Sequence, residues 1–330
     1  MHGMVSAAPT GGTWTRKSSL PVAIAEVGVS QVDGKIYVVG GNEQVGENPP
    51  TGATTFHMMY DPATDSWHER SPLPRPLSHI GVTELGGKLY AMGGLTDNVH
   101  IGPQNLALVY DPKTDRWNEL PPLSSPRGSL GVVAFDNKIH IFGGRSSEKV
   151  VRVSLPDAPE MFAGIGTVTT HEIYDPARCI WSQGKPLPGP PRDHMGIAVL
   201  DGKIHVFGGR INDFSDLLDR HDVYDPREDT WKSAAPLPRP RSAGAYTVLN
   251  GLIIYAGGEC KPRGQPFVSN AFEDVTAYDP KTDTWITLSP LPQARHAFGA
   301  ATVKGVAYFV GGALVCGGGA STDIFALTIP

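Results

Sequence analysis

Apolar runs of about five residues alternate with short polar stretches from one end of this chain to the other, and no run keeps a helical period. The runs are rich in β-branched and aromatic side chains, as in Lys35-Ile-Tyr-Val-Val39 and Lys203-Ile-His-Val-Phe207, which is the pattern of half-buried strands. Many of them end in a glycine pair, at 40–41, 93–94, 143–144, 208–209, 257–258 and 311–312, with intervals of 53, 50, 65, 49 and 54 residues. An insert follows each pair, and after the first five pairs comes Tyr-Asp-Pro, at Tyr60, Tyr110, Tyr174, Tyr224 and Tyr278, each with a tryptophan seven residues later. Asp-Gly-Lys at 33–35 and 201–203 predicts tight hairpins between first and second strands. Asp-Pro followed by Thr-Asp, as at 111–115 and 279–283, predicts the turn between third and fourth strands.

Six glycine pairs in register with tryptophans at close to a 50-residue period resemble the kelch family, whose repeat has about that length. The resemblance covers the chain from about Trp14 to the end. It implies an all-β fold, a six-bladed kelch β-propeller of one domain over residues 13–330, preceded by a flexible segment over 1–12. The last repeat supplies three strands and no tryptophan strand of its own, so the stretch around Trp14 is expected to complete it and close the ring. Inner strands near the axis need small side chains, and Gly81, Gly131, Gly196, Ala245 and Gly299 stand at equivalent places.

Composition narrows the function classes. Thirty-nine glycines and 30 prolines in 330 residues suit short strands and turns. A net charge of -5 offers no basic field for nucleic acid and no polybasic segment for a membrane. No apolar run reaches the length of a bilayer span, and the N-terminus lacks a secretory leader. A soluble, cytoplasmic monomer is expected, and a mature exported form whose leader was removed would read the same way. Three cysteines without CxxC spacing imply neither a disulfide framework nor a zinc site.

Antiparallel blades put the 2–3 and inter-blade connections on one face, where all the long segments fall: 42–53, 95–104, 145–167, 210–219, 259–271 and 313–321. That face is the expected site. Two registers should point at the channel mouth there: Asn42, Leu95, Arg145, Arg210, Glu259 and Ala313 after the glycine pairs, and Glu26, His79, Ser129, His194, Ala243 and Ala297 before the inner strands. With Asp193, Arg263 and His296 nearby, Glu26, Asn42, His79, Arg145 and Arg210 make a candidate pocket for a small polar or acidic ligand, since arginine grips carboxylates bidentately. A protein partner at the same loops is the other expected occupant. The recurring Arg127, Arg192, Arg241 and Arg295 are expected to bond loop carbonyls, and His140 and His205 to pack inside blades.

No metal is expected, because the histidines come from different, partly non-adjacent blades, and no cofactor motif is present. Over a few residues Gly258-Glu259-Cys260-Lys261-Pro262 resembles a loop of the bacterial kelch enzymes that epimerise N-acetylneuraminate. That resemblance implies an acid-base role for Glu259, with His194 as its partner, and hence an isomerase, epimerase or lyase as the alternative to a binding module. Where that family places an arginine six residues after the glutamate, this chain has Gln265, and Arg263 is the nearest arginine.

Overall fold

The computed structural model describes residues 11–44, 52–96, 100–146, 149–153, 161–212, 216–259, 271–315 and 318–330. Its first blade shows how one repeat folds. Gly28–Val32, Lys35–Val39, His57–Asp61 and Ser66–Glu69 pair antiparallel in sequence order. The first hairpin turns at Asp33 and Gly34, with φ of 50° and 74°, the left-handed pair that a two-residue turn needs to match strand twist. Five further pairs do the same at Gly86-Gly87, Asp136-Asn137, Asp201-Gly202, Asn250-Gly251 and Lys304-Gly305. Only two of the six had been legible as Asp-Gly; Asp136-Asn137 and Lys304-Gly305 reach the same geometry with other residues.

Five such sheets follow one another, and the sixth is assembled from both ends of the chain. Gly299–Val303, Val306–Val310 and Ile324–Thr328 take Thr13–Arg16 as their outer strand, with Trp14 opposite Leu327. Trp14 donates its indole N–H to the Ser289 carbonyl at 3.2 Å and packs on Phe309 at 5.3 Å between ring centroids. The expected six-bladed, all-β propeller with an N-terminal closing strand is therefore what the chain forms. Each of six apolar clusters joins neighbouring sheets: Ile36, Val38 and Tyr60 meet Tyr308, Val310 and Ile324 across the closure, for example. Each sheet buries both faces against its neighbours in this way, which explains the uninterrupted apolar runs.

Every glycine pair serves the same purpose. At Gly143-Gly144 φ is 56° and 95°, and a Cβ on Gly143 would stand 2.6 Å from the Arg192 carbonyl oxygen of the next blade; the Gly144 N–H donates to that same oxygen at 3.1 Å. The buried arginines complete this joint. Arg127 donates to the Gly143 carbonyl at 2.9 Å, Arg241 to Gly257 at 3.1 Å and Arg295 to Gly311 at 2.7 Å. Arg127 and Arg192 also pair with Glu172 and Asp222 on the third strands. These arginines hold the frame rather than a ligand.

The third-to-fourth turn is stitched to the blade before it. Tyr60, Tyr110, Tyr224 and Tyr278 donate their hydroxyls to an aspartate five residues on: Asp65, Asp115, Asp229 and Asp283. Each aspartate also accepts a backbone N–H, from Ser18, Ser71, Lys185 and Ala235, whose carbonyls take the tryptophan indole N–H. One blade departs. Cys179 replaces the aspartate, the buried Tyr174 hydroxyl has only the weakly accepting Cys179 thiol beside it and no hydrogen bond of normal geometry, and Trp181 donates to Pro121, which has no N–H to offer. Donor and acceptor are thus missing together. Cys179→Asp supplies an acceptor for Tyr174, and at φ 54° aspartate is the better tolerated residue. It is expected to stabilise the chain by about 1 kcal/mol, read as a raised denaturation midpoint; an unchanged or lower midpoint would contradict the account.

Candidate functional site

Six residues ring the axis on the loop face. Glu26, His79, Ser129, His194, Ala243 and Ala297 all adopt left-handed backbone, with φ between 51° and 57°. Each donates its N–H to the carbonyl of its counterpart one blade back, His79 to Glu26 at 3.0 Å and onward around to Glu26 donating to Ala297 at 2.7 Å. The result is a closed hoop of six backbone hydrogen bonds. Below it lies a channel cavity of about 150 Å³, walled by the small inner-strand residues Gly28, Gly81, Ala245 and Gly299 and bounded above by Glu26, His79 and His194.

The second register meets the hoop from the side. Residues after the glycine pairs bridge to those just before the hoop positions: Asn42 to Ala25, Leu95 to Ser78, Arg145 to Gly128, Arg210 to Asp193, Glu259 to Ser242 and Ala313 to His296. Pairing two inserts per blade this way brings Arg145, Arg210, Asp193 and Glu259 into one buried network. Asp193 accepts from Arg145 Nε at 2.7 Å and from Arg210 Nε at 3.3 Å, and bonds His194 Nδ1 at 2.7 Å. Arg210 also pairs with Glu259, and its other amino group lies 3.1 Å from His100 Nε2 and 3.3 Å from His194 Nε2.

The long insert after Gly144 roots into this network. Val150–Val153 and Met161–Gly164 form a small hairpin, and Arg145 donates to the Gly164 carbonyl at 2.5 Å and to the Asn212 carbonyl. The Asn212 side chain in turn accepts the Gly166 N–H at 2.8 Å. Gly164 packs against the His100 carbonyl so closely that a Cβ there would collide with it. Three loops from three blades are thereby tied together at the mouth.

Most expected residues converge. Glu26, His79 and His194 line the cavity; Arg145, Arg210, Asp193 and Glu259 form the network; His296 lies beside it, with Nδ1 4.0 Å from Glu259 and Nε2 bonded to the Val315 carbonyl at 2.8 Å. Asn42 is buried, with its side-chain oxygen unpartnered. Arg263 lies outside the described residues. His100 was not foreseen. It sits in one of the six inserts, whose sequences differ from blade to blade, so no register marks it, and its φ of 58° is a backbone signal that sequence does not display. The expectation that histidines from separate blades would not converge does not hold: Glu26, His79, His100 and His194 each bring one ligand-type atom to within 4.8 Å of the others.

The electrostatics follow from burial. Burial opposes ionisation of Asp193, but Arg145, His194 and Arg210 outweigh it and hold the carboxyl well below its usual range. Glu259 is likewise penalised by burial and held ionised by Arg210 and His296, and Glu26 by His79. Burial, helped by Arg210 and opposed by Asp193, lowers His194 to about 4; burial and Arg145 put His100 well below its ordinary value. At neutral pH the mouth presents three carboxylates, two guanidiniums and neutral rings at positions 100 and 194. The anion grip expected of Arg145 and Arg210 is taken up by Asp193 and Glu259. Proton transfer between Glu259 and His194 meets Arg210 standing between them.

Six sheets around one axis, each with the same left-handed first turn and the last closed by an N-terminal strand, define a repeat-built β-propeller. Two stretches of it carry the kelch motif, whose model matches residues 76–124 and 191–238. The chain is 28% identical over 310 residues to the Kelch-like protein terF of Aspergillus terreus, covering 93% of this chain and 53% of that protein. Mouse Kelch-like protein 35 is 35% identical over 202 residues, covering 61% of this chain and 22% of that one. The chain thus spans about half of the first relative and less than a quarter of the second. A solved structure, that of YjhT, superposes with a TM-score of 0.73 at 17% identity over 95% of this chain and 99% of its own, a likeness of fold. Among the described residues no helix is long and apolar enough to cross a membrane.

Proposed function

We propose that this propeller is a binding module whose loop face captures a protein partner. The carrying observation is the asymmetry of the two faces. The long connections leave on one side from roots locked by the Arg145, Asp193, Arg210 and Glu259 network, while the first hairpins on the other side are two-residue turns. Variable segments on a rigid frame are how repeat scaffolds present recognition surfaces, and curated relatives that carry kelch in their names are consistent with that use. Neutralised, buried arginines count against a small anion gripped at the mouth, and the ionised Glu259 beside Arg210 counts against an epimerase-like proton relay.

The test compares faces. Arg75 and Arg239 stand in inter-blade links of the loop face, Lys113 and Lys281 in turns of the opposite face. With partners identified by crosslinking and then purified, Arg75→Glu with Arg239→Glu is expected to weaken the measured affinity at least tenfold, and Lys113→Glu with Lys281→Glu to leave it unchanged. The reverse pattern, or no effect from either pair, would place recognition elsewhere.

A further inference from the structure

We propose that Glu26, His79, His100 and His194 form a binding site for one divalent transition-metal ion at the mouth of the channel. Three imidazoles and one carboxylate bring a ligand atom each to within 4.8 Å of one another. A four-coordinate ion with bonds near 2.1 Å needs ligand atoms about 3.4 Å apart, and His79 Nε2 already stands 3.2 Å from Glu26 Oε2. Small rotations of the rings close the remaining distance.

The rings are oriented as ligands. His194 bonds the Asp193 carboxylate through Nδ1 at 2.7 Å, and Asp193 is itself braced by Arg145 and Arg210. This carboxylate-imidazole arrangement fixes the tautomer and turns Nε2 toward the cluster, as outer partners of metal-bound histidines do. His79 bonds the Ser78 hydroxyl through Nδ1 at 2.9 Å, leaving Nε2 buried, out of hydrogen-bond alignment and facing Glu26 Oε2 at 3.2 Å as its one close polar neighbour among the described residues. A buried ring nitrogen that faces a carboxylate and two further imidazoles without a well-aligned hydrogen bond is placed to share a common ion with them.

Ligand chemistry and charge choose the ion. Three nitrogens and one oxygen suit zinc, cobalt, nickel or ferrous iron, and disfavour calcium and magnesium, which take oxygen shells. Glu26, Asp193 and Glu259 against Arg145 and Arg210 leave one net negative charge around the cluster, which a dication reverses. Arg210 donates toward His100 Nε2 and His194 Nε2 at 3.1 and 3.3 Å, so both lone pairs already converge on a cationic group. Metal entry moves that amino group aside while Arg210 keeps Glu259 and Asp193. The buried histidines inside blades differ in kind: His140 and His205 are paired with His171 and His221, not gathered around a carboxylate. Glu26, His79 and His194 also bound the channel cavity, so an ion held there sits at its mouth with a closed shell of four protein ligands.

Tag-free, chelator-treated protein titrated with cobalt(II) tests the site. We expect one equivalent to bind with the intense visible bands of a low-coordinate imidazole complex, to raise the melting temperature, and to be displaced by zinc but not by magnesium or calcium. Glu26→Gln and His79→Ala should each weaken cobalt binding at least tenfold, with His140→Tyr, inside a blade, as the unaffected control. Circular dichroism checks that each variant is folded; should His79→Ala fail to fold, the nearly isosteric Glu26→Gln carries the comparison. Wild-type protein giving only the spectrum of the free aquo ion and no thermal shift overturns the proposal whatever the variants do. So does undiminished binding by folded Glu26→Gln, or equal displacement by calcium.

Discussion

Asp193→Ala is expected to lower the stability of the propeller by about 3–5 kcal/mol, the cost of leaving a buried charge without its partner. Asp193 is fully buried, as are Arg145 and Arg210, each 1% exposed. Among the described residues it is the one carboxylate that bonds both guanidiniums, at 2.7 and 3.3 Å, and it also orients His194. Arg210 keeps Glu259 in the variant, but among the described residues Arg145 retains only the carbonyls of Gly164 and Asn212. The loss therefore falls on the root of the long insert. Urea unfolding of the variant beside Arg75→Ala decides the matter, because Arg75 and Glu119 form an exposed pair at 3.8 Å whose removal is expected to be barely measurable. A midpoint for Asp193→Ala no lower than that of Arg75→Ala would contradict the assignment.

A second large effect is expected with pH. Burial lowers His57, His140 and His205 to about 4, and His171 and His221 to about 3. Inside two blades these rings form relays in which His140 Nδ1 meets His171 Nε2 at 3.0 Å and His205 Nδ1 meets His221 Nε2 at 2.9 Å, each relay ending on a carbonyl. The bonding needs neutral rings. The folded values lie below the unfolded value near 6.5, so the unfolded chain binds more protons in between. The stability these rings contribute is complete above pH 6.5 and is lost as pH falls toward 4. Each histidine costs about 1.4 kcal/mol per pH unit in that window. The buried carboxylates, whose folded values are depressed, add their loss only below the unfolded carboxylate range near 4. Unfolding free energies from pH 7 to 4.5 should fall steeply, and His140→Tyr with His205→Tyr, matching Tyr37, Tyr90 and Tyr308 at the same strand position, should flatten the slope. A wild-type profile level between pH 6.5 and 5 would refute the relay account.

The frame was legible because its joints are chemical and recur: glycine pairs where a Cβ would strike the next blade, tyrosine and aspartate five residues apart, and an indole on a carbonyl. The same regularity showed which arginines serve the frame, since Arg127, Arg192, Arg241 and Arg295 share one register. What sequence could not display was pairing across blades. Arg145, Arg210, Asp193 and Glu259 were all visible as residues, yet their types alone suggested an outward grip on an anion; that Asp193 faces both guanidiniums depends on the bridge between residues 193 and 210. His100 was hidden for a different reason, since the inserts differ in sequence from blade to blade and offer no register in which to compare it. The departure at Cys179 acquires meaning only beside Pro121, 58 positions earlier in the chain, where the matching N–H is also gone.

The hoop around the axis carries one more consequence. Its six N–H groups and six carbonyls are spent on one another, and the peptide dipoles run tangentially, so around the full circle they cancel. The hoop itself therefore contributes no net dipole along the channel, unlike a helix terminus, and each side chain on it is an exchangeable fitting on a neutral mount. Glutamate, histidine, serine and alanine occupy these stations here without altering the circuit that holds them. A propeller of this construction can change the chemistry at its mouth one station at a time while its frame stays the same.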